Sequence, residues 1–367
     1  MHVPFCTAIC SYCNFNRGLL DVSLRRRYVD ALVDDIRRQG DGAPADTVYF
    51  GGGTPSLLEA SEVARVLDAC RAVFTLAPDA EVTLEANPET VSREQLDAWR
   101  QAGVNRLSLG VQSFRDEELR RLGRIHDAAR ARTAMTEARQ AGFDNISLDL
   151  MMWLPGQTLD QWLESVGALV EVEPEHASLY LLELYPNAPL RDEMARGGFT
   201  LGSDEVAARM YEQALARLDA AGYEQYEISN VARPGRRSRH NVKYWTDGEW
   251  HAFGCGAHGT RHGIRWRNVP ATTDYVARVE AGADVAAERR RLSAGDRLEE
   301  ALFMGLRMAD GVDLEAVAAR YEVDVLVKYG PALQPFAEAG LVQVERGRLR
   351  LTRQGCLVAN EILAVFV

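Results

Sequence analysis

From residue 44 to about residue 230 the chain alternates short β-like runs with longer amphipathic stretches of period 3.6, a pattern that restricts it to an α/β fold with a parallel sheet. The runs are Thr47 to Phe50, Glu81 to Glu85, Arg106 to Leu109, Asn145 to Asp149 and Ala177 to Leu182. Helical patterns occupy, among others, Leu24 to Gln39, Ser61 to Phe74 and Asp204 to Ala221. A sheet wound this way carries its functional groups at the carboxyl ends of the strands, whether it closes as a barrel or stays open. The residues at those ends are Gly51 to Thr54, Glu85, Gln112, Asp149 and Glu183. Polar side chains after one strand end upon another exceed what a solvated face requires, so this set is the expected site.

The 367 residues are 47% hydrophobic and 26% charged, enough to bury two or three domain cores. A formal net charge of -11 repels a phosphate backbone, so no nucleic-acid partner is expected. The one basic stretch, Arg233 to Arg239, contains Pro234-Gly235 and reads as a solvated loop. Six cysteines are too few for a disulfide scaffold, no signal peptide precedes the first motif, and no apolar run is long enough to span a bilayer. A cytoplasmic location is expected. From residue 223 to about 290 the composition shifts, with three tryptophans and four histidines between His240 and Trp266. From residue 296 a helix, short helix, helix, two-strand pattern resembles a winged helix. Seven Lys or Arg against ten Asp or Glu between residues 298 and 367 leave it without a DNA-binding footprint, so it reads as a structural or docking module.

Cys6, Cys10 and Cys13 place three thiols at spacings of four and three, with no fourth cysteine nearby. Zinc normally closes its tetrahedron with four protein ligands, whereas an iron-sulfur cluster can be held by three and keep one iron open for a ligand. Gly51, Gly52 and Gly53 follow a β-run and precede Thr54-Pro55, so backbone N–H groups there can approach a carboxylate; read alone, the run is equally a tight turn. It is neither the spaced-glycine dinucleotide pattern nor a phosphate loop. A ligand with an amino and a carboxylate group could chelate the open iron and lie along this turn, and S-adenosylmethionine has both.

On the cysteine motif, with Tyr12 just before the third cysteine, the chain resembles the radical S-adenosylmethionine superfamily. On Gly51-Gly52-Gly53-Thr54-Pro55-Ser56, Glu85-Ala86-Asn87-Pro88, Gly110-Val111-Gln112-Ser113-Phe114, Leu154-Pro155-Gly156-Gln157-Thr158, Tyr226-Glu227-Ile228-Ser229-Asn230 and Arg239-His240-Asn241-Val242-Lys243-Tyr244-Trp245 it resembles, along its whole length, the anaerobic coproporphyrinogen III oxidase family. Phe15 stands where the oxidase branch has a further cysteine, and the oxidase's amino-terminal extension is not seen. His240-Asn241-x-x-Tyr244-Trp245 matches a motif associated with haem in the haem-chaperone branch.

The resemblance implies a partial (β/α)6 TIM-type radical SAM barrel over residues 1–222, a connecting region over 223–295 and a winged-helix-like α+β domain over 296–367. It implies a [4Fe-4S] cluster on Cys6, Cys10 and Cys13, and S-adenosylmethionine beside Tyr12, Gly52, Gly53, Thr54, Glu85, Gln112, Arg124 and Asp149. It also implies haem on His240, with transfer to an acceptor such as a membrane-associated respiratory enzyme; oxygen-independent decarboxylation of coproporphyrinogen III is the alternative activity. Read without it, His240 is rather a buried histidine in an aromatic cluster, and Arg124 could be a surface ion pair and Asp149 a capping carboxylate. Three positions depart from the family pattern. Its tyrosine two residues before His2 falls before residue 1, so the first strand is either short or incomplete. Trp153 replaces a glycine and is expected to narrow the site. Cys255 replaces a proline and is either a soft extra ligand or a small buried thiol.

Overall fold

The computed structural model describes residues 1–186 and 188–367. Strand β1 (His2–Val3) leads into β2 (Phe5–Cys6), which pairs in parallel with β3 (Gly18–Leu19) as a separate ladder. Five longer strands follow: β4 (Pro44–Gly52), β5 (Thr75–Ala86), β6 (Arg106–Gln112), β7 (Ile146–Met152) and β8 (His176–Leu181). With β1 they form six parallel neighbours in the order β1-β4-β5-β6-β7-β8, the partial barrel expected. The sheet then continues antiparallel through β9 (Glu224–Glu227) and β10 (Asn230–Ala232), with β10 inserted between β8 and β9. The Asp204–Ala220 helix leads into β9, but no helix separates β9 from β10, so the βα pattern does not reveal that β10 inserts between β8 and β9.

Side chains alternate across a strand, and here the two faces differ in chemistry. Val82, Leu84, Leu107, Leu109, Ile146 and Leu148 face the helical layer and are buried. That layer includes the Val22–Gln39 helix, which Asp21 caps and which buries Tyr28, Val29, Leu32 and Ile36. The opposite, inner face carries Tyr49, Glu81, Thr83, Glu85, Arg106, Ser108, Ser147, Asp149, His176 and Ser178. A filled barrel would use branched apolar residues there. Tyr180, also on this face, is 41% exposed, and Glu85 and Asp149 are half-buried, so the inner face lines a hollow open to solvent.

Strands β11 (His258–Arg261), β12 (Ile264–Asn268) and β13 (Ala286–Arg291) make a small antiparallel sheet. The last part of the chain packs the Ala294–Gly305, Leu314–Tyr321 and Val325–Glu338 helices on β14 (Val312–Asp313), β15 (Val342–Glu345) and β16 (Arg348–Leu351), ordered β14-β16-β15. Its core, around Leu298, Leu302, Leu333, Leu349, Ile362 and Phe366, is separate from that of the barrel. Among the described residues no helix is long and apolar enough to cross a membrane.

Candidate functional site

The cysteine loop leaves the barrel at the carboxyl end of β2 and is pinned from two sides. Ser11 N–H donates to the Leu122 carbonyl at 3.2 Å, and Leu190 N–H donates to the Ser11 carbonyl at 2.9 Å. Cys13 N–H closes a turn on the Cys10 carbonyl at 3.2 Å, and the Arg17 guanidinium donates to the Cys13 carbonyl. All three cysteines are free thiols. Burial pushes the Cys6 thiol above its ordinary pKa, opposed by a hydrogen bond from Thr54 Oγ1, 3.5 Å away, and reinforced by the Cys13 and Cys10 sulfurs. Among the described residues no three His, Cys, Asp or Glu side chains converge on a single metal ion. A tetrahedral zinc site needs that convergence, whereas the irons of a four-iron cluster stand at separate corners and take their thiolates from farther apart.

The glycine turn lies against this loop. Gly53 N–H donates to the Val3 carbonyl at 2.8 Å and Thr54 N–H to the Phe5 carbonyl at 2.8 Å. A Cβ on Gly53 would meet Phe5 O at 2.8 Å and Cys6 Sγ at 3.0 Å, and Gly52 has φ +125°. Both the close approach and the left-handed backbone require glycine. Gly52 N–H donates to Glu85 Oε2 at 3.1 Å, while Tyr49 O–H donates to Glu85 Oε1 at 2.6 Å. Burial raises Glu85 to about 7, partly offset by the Tyr49 bond.

Arg124 is no surface ion pair. It is drawn inward, donating to Asn87 Oδ1 at 2.7 Å and to the Gly110 carbonyl at 2.5 Å, with Cys10 Sγ at 3.6 Å. Tyr12 belongs to this corner: it packs with Leu122, Met151, Leu154 and Leu182, and burial raises its phenol. Gln112 has φ +68°, and its buried Oε1 has no partner. Asp149 accepts from Ser108 Oγ at 3.3 Å and is raised to about 6 by burial, opposed by Ser178 and Arg106. It caps no helix. Glu183 is exposed and accepts from Tyr185 O–H, outside this cluster. The orphaned Gln112 Oε1, the inward Arg124 and the side-chain-free glycine turn suit a ligand carrying both an amino and a carboxylate group.

His240 opens the Arg239–Trp245 helix, which Ser238 caps. The Glu81 carboxylate, on the inner face of β5, accepts from Arg239 N–H and His240 N–H, each at 3.0 Å. The imidazole stacks on Tyr49 at 4.8 Å and 17°. Its Nδ1 lies 2.9 Å from Thr47 Oγ1 and its Nε2 2.9 Å from the Tyr244 hydroxyl. With Nδ1–H donating to Thr47, the Nε2 lone pair accepts from Tyr244 and is the atom that could bind a metal once that bond is given up. Burial lowers its pKa to about 3, so the ring is neutral. Stacking on Tyr49, which bonds Glu85, joins this motif to the glycine turn, a connection that spacing in the sequence does not show. Tyr49, Asn87 and Ser108 were not singled out from the sequence; their signal was the period-2 placement of polar residues facing one side.

The departures also resolve. Cys255 is fully buried against Thr272 and Asn16. Trp153 has φ +61°, which explains the glycine usual there, and its Nε1–H donates to the Gly202 carbonyl at 3.0 Å. In the basic stretch, Arg236, Arg237 and Arg239 pair with Asp144, Asp310 and Asp79.

Residues 1–169 match the Radical SAM superfamily and residues 292–358 the HemN C-terminal domain. "Heme chaperone HemW" of Bacillus subtilis (strain 168) is 35% identical, covering 100% of this chain and 98% of its own length. The protein of the same name from Mycobacterium tuberculosis (strain ATCC 25618 / H37Rv) is 38% identical over 99% and 93%. A solved structure of coproporphyrinogen III oxidase (HemN) from Escherichia coli superposes with a TM-score of 0.86 at 23% identity, covering 100% of this chain and 88% of that one, which is a likeness of fold. With such identity held along nearly its whole length, the chain belongs to the HemW family of radical SAM proteins.

Proposed function

We propose that this protein binds haem at His240 and delivers it to an acceptor protein, with a [4Fe-4S] cluster on Cys6, Cys10 and Cys13 and S-adenosylmethionine beside them. The observation that carries the haem assignment is the state of His240: a neutral imidazole, oriented through Nδ1 by Thr47, with only a hydroxyl on Nε2. Neutral imidazole anchored through its other nitrogen is the usual form of a histidine ligand. Tyr49 stacks on the ring and Tyr244 meets it edge-on, so the imidazole is held in one orientation.

Tyr12, Gly52, Gly53, Thr54, Glu85, Gln112, Arg124 and Asp149 would hold S-adenosylmethionine. The cluster, when bound, supplies an open iron and an electron. The protein's own part is to orient the ligand: Arg124 offers positive charge next to Cys10, the glycine turn leaves space free of side chains, and Gln112 Oε1 awaits a donor. The chain divides into a core over 1–222, a connecting region over 223–295 that bears His240 and a carboxy-terminal module over 296–367 that meets the acceptor. A cytoplasmic protein delivering to a membrane-associated respiratory enzyme fits this reading, as do the relatives named haem chaperones.

Titration of the reconstituted protein with haem, followed at the Soret band, tests the assignment. His240→Ala is expected to weaken binding at least tenfold and to change the spectrum. An unchanged affinity and spectrum rules the ligand out. Substrate-dependent formation of protoporphyrinogen from coproporphyrinogen III under anaerobic conditions would replace the chaperone reading with the oxidase one.

A further inference from the structure

Residues 121–126 join the cysteine loop to the ends of β5 and β6. Their backbone holds the loop: the Leu122 carbonyl accepts from Ser11 N–H and the Arg121 carbonyl from Ser11 Oγ, each at 3.2 Å. Their side chains hold the strands. Arg124 donates to Asn87 Oδ1, just after β5, and to the Gly110 carbonyl on β6. Two residues on, His126 reaches the same two segments, with Nδ1 3.0 Å from Glu89 Oε2 and Nε2 3.1 Å from the Val111 carbonyl. The imidazole is fully buried.

Both of its partners are acceptors. A neutral imidazole has one N–H and one lone pair, so in either tautomer it would aim that lone pair at an oxygen lone pair. Two arrangements satisfy both contacts: an imidazolium facing an ionised Glu89, or a neutral ring facing a protonated Glu89. Arg124 decides between them. Burial opposes ionisation of Glu89, yet the His126 bond and the Arg124 charge hold its carboxyl below the usual range, so the proton sits on the ring. The other charged groups nearby are engaged elsewhere. Arg130, on the Ala128–Gln140 helix, donates to the Pro88 and Val91 carbonyls and pairs with Glu137. Asp127 and Asp116 accept from the Arg130 and Ala128 backbone N–H groups.

We propose that His126, as an imidazolium paired with Glu89, is a positioning residue for the S-adenosylmethionine site, clamping residues 121–126 to β5 and β6 and so fixing Arg124 and the cysteine loop. This rests on the reading of Arg124 as facing the ligand. Losing the ring proton sets a nitrogen lone pair against an oxygen, loosens the clamp and weakens binding as pH rises.

The test measures S-adenosylmethionine affinity of the full-length, cluster-reconstituted protein by equilibrium dialysis from about pH 6 to about pH 8.5, where an imidazole beside a carboxylate loses its proton. Wild-type affinity is expected to fall about tenfold across this range, the scale of one hydrogen bond to a charged group. His126→Gln should be about tenfold weaker at the acid end and lack that fall. Glu89→Gln keeps the shape, and its amide can accept from one ring form or donate to the other. It should bind at the alkaline end at least as well as the wild type and lose the pH step. Glu85 and Asp149, near 7 and 6, and the ligand's own amino group titrate in the same range in every variant, so the readout is the difference from the wild type. In the ligand-free protein, the ring-nitrogen NMR signals that His126→Gln removes should be those of an imidazolium at neutral pH. Iron content and a thermal melt establish that each variant is folded. A neutral ring overturns the proposal, as does a wild-type pH profile in both His126→Gln and Glu89→Gln, which leaves a structural pin only. Arg124→Gln separates this from the site reading. Weaker binding by Arg124→Gln beside unchanged profiles in the other two sinks the proposal alone, whereas unchanged binding by Arg124→Gln sinks the site reading with it.

Discussion

The barrel and the carboxy-terminal module bury opposite kinds of residue. The module's core is Leu298, Leu302, Val317, Leu333, Leu349, Ile362 and Phe366, and among the described residues no buried polar or charged side chain lies beyond Asn268. The barrel encloses Glu81, Thr83, Arg106, Ser108, Ser147, His176 and Ser178. Apolar burial stabilises at roughly 25 cal/mol per Å², whereas each enclosed polar group has first to recover its lost hydration. One unit is thus arranged for stability and the other gives some of it up for chemistry. They meet where Arg307 donates to Glu227 at 2.9 Å and covers the Trp245 ring at 4.5 Å.

The sharpest way to break this contrast is at the cysteines. Replacing Cys6, Cys10 or Cys13 by Ala is expected to abolish iron-sulfur absorbance and bound iron after anaerobic reconstitution, while hydrogen exchange across residues 294–363 stays unchanged. In the other direction, Leu302→Ala should destabilise the module by about 2–5 kcal/mol, as for other buried leucines, and leave the cluster spectrum intact. Denaturant unfolding monitored by hydrogen exchange in each unit separates the two.

A smaller effect separates them by pH. Glu85, raised from 4.5 to about 7, keeps its proton in the folded state while the unfolded chain loses it, so its contribution to stability falls as pH rises from 4.5 to 7. Glu85→Gln removes that loss. Relative to the wild type the variant should gain up to about 3 kcal/mol in the barrel between those two pH values, at 1.36 kcal/mol per unit. The module should show no such difference. A constant offset between variant and wild type across the range would mean that Glu85 ionises normally.

Much of this was legible in the sequence because local periodicity and the barrel agree. Leu107, Leu109 and Val111 alternate with Arg106, Ser108 and Gln112, and each set occupies one face of β6. The five longer parallel strands, the glycine turn and the inward carboxylates Glu85 and Asp149 follow from that rule. What was not legible depends on contacts between distant segments. No helix separates β9 from β10, so periodicity does not show that β10 enters the sheet beside β8, and nothing local announces that Arg239–Trp245 will seat His240 on Tyr49, 191 positions earlier in the chain. Arg124 reads as a surface ion pair until Asn87 and Gly110 supply its acceptors.

The three adjacent glycines, finally, set how this segment can vary. A methyl on Gly51 would press on the Tyr49 ring at 2.8 Å and the Glu85 carboxyl at 3.1 Å, one on Gly52 on the His2 imidazole at 2.5 Å, and one on Gly53 on the Phe5 carbonyl and Cys6 sulfur. Each position is closed by a different wall. A library of single alanine replacements here therefore reads out three properties separately: Gly51→Ala disturbs the acidic floor, Gly52→Ala the first strand, and Gly53→Ala the metal loop.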